Sequence, residues 1–593
     1  MATTSMPSGS IILVWNNIYL DVVRHIGGAP GPLAHIGGRM HLAMYEAINQ
    51  LTGNTYPNAL APVPVTGSPD PTSSAAYAAC FTLTDAVAQY IEQAKRMQGG
   101  ALNPFDPFQV LAGAQTHAQA LINSGPTPVD TASEKYGRAI ADAVIAKFPA
   151  DAGLGPVVTP RLDPEKEGEW RDTGSGPALT PQWGMIPLLL LNSRQHPIKS
   201  YLPKTIPSSL LNYKDLLAST LYADQVNEVK NKGAAHHSTR KEEETEIAFF
   251  WANDLNGTSK PPGQLYTITQ DVAKQQGILQ GVNGLLETAR LFAMVGTAMV
   301  NASVVAWYAK YFHPDTKGPL RLWRPETAIQ RATDDGNPGT AADPAWQPLS
   351  AMINGTRFSP NFPAYVSGHA CFGAAHAAAM QAFFGTDTIP FTATTEDPHA
   401  LRDENGIRRT RSFLSFKKAA LENGRSRVYL GVHYQFDAVG GYEIGTAVGQ
   451  DTAAFFQPQP PTNRAFLTRA SGGIQSVFLD NPGSDVAFDL TVSTKCVWSF
   501  TLSSTPSPIQ EKQDSLNSAS RRTGPVGKPE DLIGKNHSWS LHLINEDTQN
   551  PLDYTVEFYL LQDGKSVYEY KQTGKIDTTT PDAILGETLS YRS

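Results

Sequence analysis

Three segments of the chain gather side chains suited to holding a tetrahedral oxyanion. The first, Lys317-Gly-Pro-Leu-Arg-Leu-Trp-Arg324-Pro325, sets a lysine seven positions ahead of an Arg-Pro pair. An ammonium is a compact point charge, whereas a guanidinium offers a planar fork matched to two oxygens of such an anion. Taken alone the segment reads as solvated loop charge, and Arg321 competes with Arg324 for any functional role. The second is Ser367-Gly368-His369, followed by an alanine-rich run that predicts a helix from about residue 370. Ser367 and Gly368 then stand at a helix N-terminus, where open N–H groups and the positive end of the dipole attract anions. An ordinary N-cap with a solvent-facing His369 is the bland alternative. His376, two turns along the same face, reads as a core or supporting histidine. The third is Ser426-Arg427 with His433 and Asp437 downstream. If this stretch is helical, His433 and Asp437 are four apart and share a face, so the carboxylate can support the imidazole. A backbone carbonyl could hold that ring nitrogen instead, and a surface pair is the bland reading.

These segments need a scaffold, and the pattern from Ser10 to about Gln450 is helical. Ala75–Met97 and Val110–Ile122 place apolar residues three and four apart, and Pro- and Gly-rich loops separate such runs. A mostly α, helical-bundle core is expected, with an N-terminal half over 1–230 and a catalytic half over 231–455. Leu291 to Ala309 has no ionised side chain and is about long enough to cross a bilayer. Gly296, Thr297, Asn301 and Ser303 within it favour a buried helix over a membrane span. At 456–463 the run FQPQPPTN marks a linker. Beyond it, over 464–593, the period becomes two. Ile474–Leu479, Val486–Val492, Val497–Leu502, Ser538–Leu543, Tyr554–Leu561 and Val567–Tyr570 read as strands of a smaller C-terminal antiparallel β domain, with Asp563-Gly564 as a hairpin turn. Thr505 to Gly534 reads as a long surface loop.

Composition narrows the function. The 593 residues hold 47 Lys and Arg against 55 Asp and Glu, a net charge of −8, and only 17% of residues are charged. No global basic field exists to hold nucleic acid, so any functional cations must be concentrated at a site. Cys80, Cys371 and Cys496 are odd in number and widely spaced, which suggests neither a disulfide framework nor a zinc site. The opening MATTSMPSGSIILVWNN lacks a basic n-region and a full apolar run. A cytoplasmic home is the default expectation, with export by a non-standard route left open.

In the order Lys-x6-Arg-Pro, Ser-Gly-His, Ser-Arg-x5-His-x3-Asp, the three segments resemble the active-site signature shared by vanadium haloperoxidases and the type 2 phosphatidic acid phosphatase superfamily, which includes bacterial acid phosphatases. The wording around the motifs is similar to the haloperoxidases: Leu322-Trp323-Arg324-Pro325, Pro363-Ala364-Tyr365, Phe372-Gly373 and Leu430 through Ala438. Upstream, Gly168-Glu-Trp170-Arg171, Pro181-Gln-Trp183-Gly184, Phe250 through Asp254 and Pro261-Pro262 extend the resemblance to roughly residues 10–450. It implies vanadate as cofactor, with hydrogen peroxide, a halide and a small organic acceptor as substrates, and hypohalous acid or an equivalent halogenating species as product. It also implies residue roles. His433 would bond vanadium, while Lys317, Arg324, Arg427, Ser367 and the Gly368 N–H would hold the oxygens. His369 would be the acid–base group, and Lys317 would polarise peroxide towards halide attack. Asp254 would pair with Arg427, and Trp323, Phe362 and Asp437 would flank the site.

Two departures stand out. The usual Pro before Ser-Gly-His is Val366, which loses the ring that fixes φ ahead of the anion loop. Phe362 occupies the position that carries phenylalanine in fungal chloroperoxidases and histidine in algal bromoperoxidases, which points to chloride or bromide. The competing readings are a phosphatase forming a phosphohistidine at His433 with His369 protonating the leaving alcohol, and a binding protein that keeps an inactive site. A homo-oligomer is compatible with the extra β domain.

Overall fold

Proline and side-chain caps start the helices of the larger unit. Pro30 opens α2, Ser219 accepts the Tyr222 N–H ahead of α7, and Ser415 accepts the Lys418 N–H ahead of α13. The computed structural model describes residues 9–97, 114–127, 130–149, 166–171, 178–280, 283–312, 320–353, 356–357 and 359–457. In the C-terminal part it describes 475–479, 484–494, 497–502, 509–513, 520–532, 536–544, 551–563, 565–576 and 582–592. The chain forms two compact units, Met1–Gln459 and Pro460–Ser593. In chain order the helices of the first are α1 Ser10–Ile26, α2 Pro30–Leu51, α3 Pro71–Met97, α4 Ala114–Asn123, α5 Thr131–Lys147, α6 Tyr213–Leu217 and α7 Thr220–Lys232. They continue with α8 Glu242–Phe250, α9 Lys260–Gln275, α10 Gly284–Phe312, α11 Pro325–Gln330, α12 Gly368–Phe384, α13 Phe416–Tyr429 and α14 Gln435–Phe455. Residues 1–230 and 231–455, the two helical halves expected above, lie within the first unit. One hydrophobic core runs through both parts, because α10 packs on α2 as well as on α12 and α14.

Helix α10 contains the long apolar run. It is the one described helix long and apolar enough to cross a membrane, and 94% of its most apolar window is buried in the protein. Its polar side chains find protein partners. Asn301 donates to Leu189 O at 2.9 Å and to Thr452 Oγ1 at 2.9 Å, and accepts Leu189 N at 2.7 Å. Ser303 accepts the Trp183 indole N–H at 2.9 Å. Buried polar groups satisfied in this way fit the central helix of a bundle.

Helices α12 and α14 lie unusually close. A Cβ on Gly441 would stand 2.5 Å from Ser367 O, one on Gly445 2.3 Å from Cys371 O, and one on Gly449 2.9 Å from Ala375 O. Three glycines at four-residue spacing thus form a face onto which the alanine-rich α12 settles, backbone against backbone. This seam fixes where the N-terminus of α12 sits.

The first unit also carries two short antiparallel pairs, β1 Met352–Ile353 with β2 Thr356–Arg357 and β3 Phe391–Ala393 with β4 Arg411–Phe413, while the second unit is a two-sheet sandwich. One sheet has the order β5-β13-β10-β7-β8, with β5 Gln475–Phe478, β7 Val497–Leu502, β8 Ile509–Gln513, β10 Asn536–Ile544 and β13 Asp582–Arg592. The other has β12-β11-β6-β9, with β6 Val486–Thr494, β9 Ser520–Gly527, β11 Leu552–Gln562 and β12 Lys565–Ile576. Both inner faces share one core, where Phe500 and Trp539 meet Phe558 at ring separations of 5.3 and 4.7 Å. Gln562 pairs with Lys565, and Asp563 between them has φ +52, the geometry of a two-residue hairpin. The pairing is antiparallel except between β5 and β13. The stretch 505–534, expected as a loop, instead carries β8, β9 and a short helix, Pro529–Leu532. Both strands are sheet edges, where one side faces no neighbour, so their polar composition hid them.

The α12–α14 seam yields the first prediction. In an isolated helix Gly445→Ala would gain about 1 kcal/mol of helix propensity. Here the methyl meets a backbone oxygen that cannot rotate away, and overpacking costs about 1–3 kcal/mol or more. The substitution is expected to lower the thermal midpoint of the helical unit by several degrees, and an equal or higher midpoint would show that the seam has slack.

Candidate oxyanion site

Arg324 is aimed inward by the segment that carries it. Trp323 N donates to Gly168 O at 2.8 Å and Trp170 N to Arg321 O at 2.7 Å, so residues 168–170 and 321–323 pair as a short antiparallel bridge. The Trp323 indole is buried and donates to Tyr222 of α7 at 3.0 Å. Arg321 then points to Glu169, Nε to Oε1 at 2.9 Å, while Arg324 at the start of α11 is fully buried. Of the two competing arginines, Arg324 is the one that enters the site. Its Nε donates to Phe362 O and its Nη1 to Val432 O, both at 2.7 Å, and Nη1 lies 3.1 Å from His433 Nε2. Lys317 lies outside the described residues.

The Ser367 segment is held from behind by a residue that the motif reading passed over. Lys310, near the end of α10, is fully buried and donates to Pro363 O at 2.7 Å, Ala364 O at 3.2 Å and Val366 O. Burial and the nearby Arg324 push its pKa well down, yet three oxygens that can only accept require three N–H donors, the ammonium form. Phe362 lies between two cations, with Lys310 Nζ 4.7 Å and Arg324 Cζ 4.6 Å from its ring centre. Ser367 caps α12 by accepting Ala370 N at 3.4 Å, and its own N–H goes to Asp437 O at 2.9 Å. The amides of Gly368 and His369 begin the helix with no acceptor inside it. His376 is buried within α12, its Nε2 3.0 Å from Thr269 Oγ1.

His433 is not on a helix with Asp437, contrary to the helical reading of its spacing. Helix α13 ends at Tyr429, Gly431 turns the chain at φ +82, and α14 starts at Gln435. A Cβ at Gly431 would meet Gly233 O at 2.5 Å, so only glycine serves this tight turn. Asp437 sits in the first turn of α14, where one oxygen, Oδ2, accepts both Tyr434 N at 3.0 Å and His433 Nδ1 at 2.8 Å. That bond places the proton on Nδ1 and leaves the Nε2 lone pair directed at Arg324. Burial, followed by Arg324, Lys310 and Arg427, drives the His433 pKa well below its ordinary value, so the ring is neutral.

Arg427 and His369 meet on the loop after α8. Arg427 is buried on α13 and donates Nη2 to Asp254 Oδ2 at 2.6 Å. His369 Nε2 lies 3.1 Å from Ala252 O, which can only accept, and 3.9 Å from Asp254 Oδ1. Asp397 holds this loop by accepting Asn253 N at 3.0 Å. Burial and Arg427 push the His369 pKa down to about 4, with Asp254 opposing them. Burial alone would raise the Asp254 carboxyl, but Arg427 and His369 outweigh it and hold it below the usual range.

The unmet hydrogen-bonding capacity says what this site accepts. Arg324 Nη2 and both Nε and Nη1 of Arg427 are buried without partners. Native proteins rarely leave guanidinium N–H groups this way, and here they come from the two arginines that flank the His433 ring and the start of α12. Among the described residues no group of three or more His, Cys, Asp or Glu is placed to hold a metal cation. The donor set is that of an anion site, and it fits vanadate or phosphate: N–H donors for its oxygens and one neutral imidazole nitrogen.

The fold and this cradle define a helical-bundle protein with an oxyanion site. A family model, the VCPO second helical-bundle domain, matches residues 290–459, which hold every motif residue above except Asp254. The chain is 26% identical over 507 residues to the vanadium chloroperoxidase of Curvularia inaequalis, covering 73% of this chain and 80% of that one. In structure it is similar to a bacterial vanadium-dependent iodoperoxidase, with a TM-score of 0.55 and 22% identity over 77% of this chain and 97% of that one. It is also similar to a holo-type bacterial vanadium-dependent chloroperoxidase, with a TM-score of 0.50 and 15% identity over 73% and 93% of the two chains. Over residues 290–459 the chain carries the VCPO second helical-bundle domain, and in sequence and fold it is similar to vanadium haloperoxidases.

The Arg427–Asp254 pair makes stability depend on pH in a defined direction. A carboxyl whose folded pKa lies below its unfolded value of about 3.9 contributes stability above that value and loses it as pH falls through the folded pKa. Asp254→Asn leaves Arg427, 1% exposed, without a carboxylate, a loss of about 3 kcal/mol by analogy with broken buried pairs. Urea denaturation should show this deficit at pH 6–8 and show it closing below pH about 4. A deficit independent of pH would mean that Asp254 acts by packing alone.

Proposed function

We propose that the protein is a vanadate-dependent peroxidase that oxidises chloride or bromide with hydrogen peroxide and halogenates small organic acceptors. The observation that carries the reading is the set of unpartnered N–H groups on Arg324 and Arg427 around a neutral His433 whose Nε2 keeps its lone pair, facing Arg324 Nη1. Lys317, Arg324, Arg427, Ser367 and the Gly368 amide would hold the oxygens, and His433 Nε2 would supply the nitrogen ligand. Bound there, vanadate is a Lewis acid that activates peroxide without changing its own oxidation state.

The protein's part is orientation and proton management. Asp437 keeps the His433 proton on Nδ1, so the ligating nitrogen presents its lone pair. His369, with Nε2–H bound to Ala252 O, presents Nδ1 as the base that takes a proton from incoming peroxide, and Asp254 then stabilises the imidazolium. Phe362 contributes no titratable group beside the site, which fits halides that need a strongly electrophilic oxidant. The haloperoxidases it resembles carry chloroperoxidase and iodoperoxidase in their names, and chloride or bromide is the assignment made here from Phe362.

The test is vanadate titration followed by monochlorodimedone bleaching with peroxide and each halide. Ala substitutions of His433, Arg324, Arg427 and Lys317 should each lower halogenation about 100- to 1000-fold. Arg321→Ala should retain vanadate affinity, because Arg321 is engaged by Glu169. The same cradle could instead serve a phosphohistidine at His433. Strong hydrolysis of a phosphomonoester by vanadate-free protein, with no halogenation at saturating vanadate, would overturn the proposal in favour of that phosphatase.

A further inference from the structure

Lys310 is a fully buried cation, and among the described residues no carboxylate lies within ion-pair distance of it. Ammonium groups taken out of water are kept only where something compensates them. Three carbonyls from one four-residue stretch curl around its Nζ, and the Phe362 ring face lies 4.7 Å away. In the Val366–Ser367 peptide the carbonyl is committed to Lys310 while the N–H is committed to Asp437 O. The plane that delivers the chain into α12 is therefore clamped on both sides. Val366 stands where a proline ring would have restrained this approach, so the clamp supplies from α10 a restraint that the local sequence lacks.

We propose that Lys310 is a positioning residue of the oxyanion site: its ammonium fixes residues 363–366 so that the Gly368 and His369 amides face the bound anion, and the part of its charge that Asp437 leaves uncompensated is balanced by that anion. The inference rests on the oxyanion reading of the site but is indifferent to whether the anion is vanadate or phosphate. A purely structural lysine predicts that its loss lowers stability and leaves the anion affinity of the folded protein alone. A positioning cation predicts weaker binding of both anions, about 10- to 100-fold, as for residues that orient a ligand set.

The experiment measures orthovanadate and inorganic phosphate affinity by calorimetry on full-length wild type, Lys310→Met and Lys310→Gln. Lys147→Met, which removes another lysine bound to a backbone carbonyl, Ala59 O, is the control. Gln keeps N–H donors for the carbonyls and removes only the charge, so it decides the matter if the Met variant does not fold. The expected result is at least tenfold weaker binding of both anions by the Lys310 variants that fold, with Lys147→Met unchanged. Folded Lys310 variants that bind within twofold of wild type overturn the role of Lys310 while leaving the site intact. Wild type that binds neither anion overturns the reading of the site itself, and this inference with it.

Discussion

Positive charge buried in excess of negative charge is the constraint around which the larger unit is arranged. Arg324, Arg427 and Lys310 are all within 1% of complete burial. Two carboxylates face them, Asp254 on Arg427 and Asp437, whose Oδ2 is already committed to His433 and Tyr434. Unit charges 4 Å apart interact by about 4 kcal/mol at the effective dielectric typical of proteins. Three cations against two anions is therefore an arrangement that folding tolerates only because carbonyls, an aromatic face and, when present, an oxyanion share the load.

Holding that excess in place is a task for backbone, not for flexible side chains. The glycine face of α14 brings α12 close enough that Ser367 N reaches Asp437 O, so the anion-binding helix start and the histidine loop move as one body. Helix α10 contributes from the other side through Lys310, and the bridge between 168–170 and 321–323 aims Arg324. Each cation is thus tied to a different element, and the site lies where these elements cross. Sites built on rigid elements keep their geometry without paying for it at the moment of reaction.

That crossing also explains what could be read from the chain alone. The helical period over 10–450 and the change to period two after the linker are local signals, and the fold class follows from them. Arg324, Ser367, His433 and Asp437 were legible because motif spacing reflects short loops. Arg321 and Arg324 stayed equivalent until Glu169, 152 residues from Arg321, took one of them. Lys310 lies outside every motif, since its partners are 53 to 56 residues away and are carbonyls, which carry no sequence signature. The helical pairing of His433 with Asp437 failed for a related reason. Spacing by four fits a helix, but Gly431 turns the chain because Gly233 from another segment leaves no room for a side chain.

The two histidines of the site show how environment divides labour between identical side chains. Both are driven towards the neutral form by burial and by Arg427. They differ in their support. His369 has Asp254 beside it, a carboxyl held below the usual range and therefore ionised, and the Ala252 carbonyl on its other contact. Both favour an imidazolium. His433 has Asp437, whose carboxyl is itself pushed up to about 7 by burial, while Arg324, Lys310 and Arg427 all oppose a second proton on the ring. Protons delivered to the site therefore go to His369, and His433 keeps the lone pair that a ligand or nucleophile requires. Environments that separate two titratable groups in this way are what assign acid–base and binding roles, and here the separation comes from which carboxylate each histidine meets.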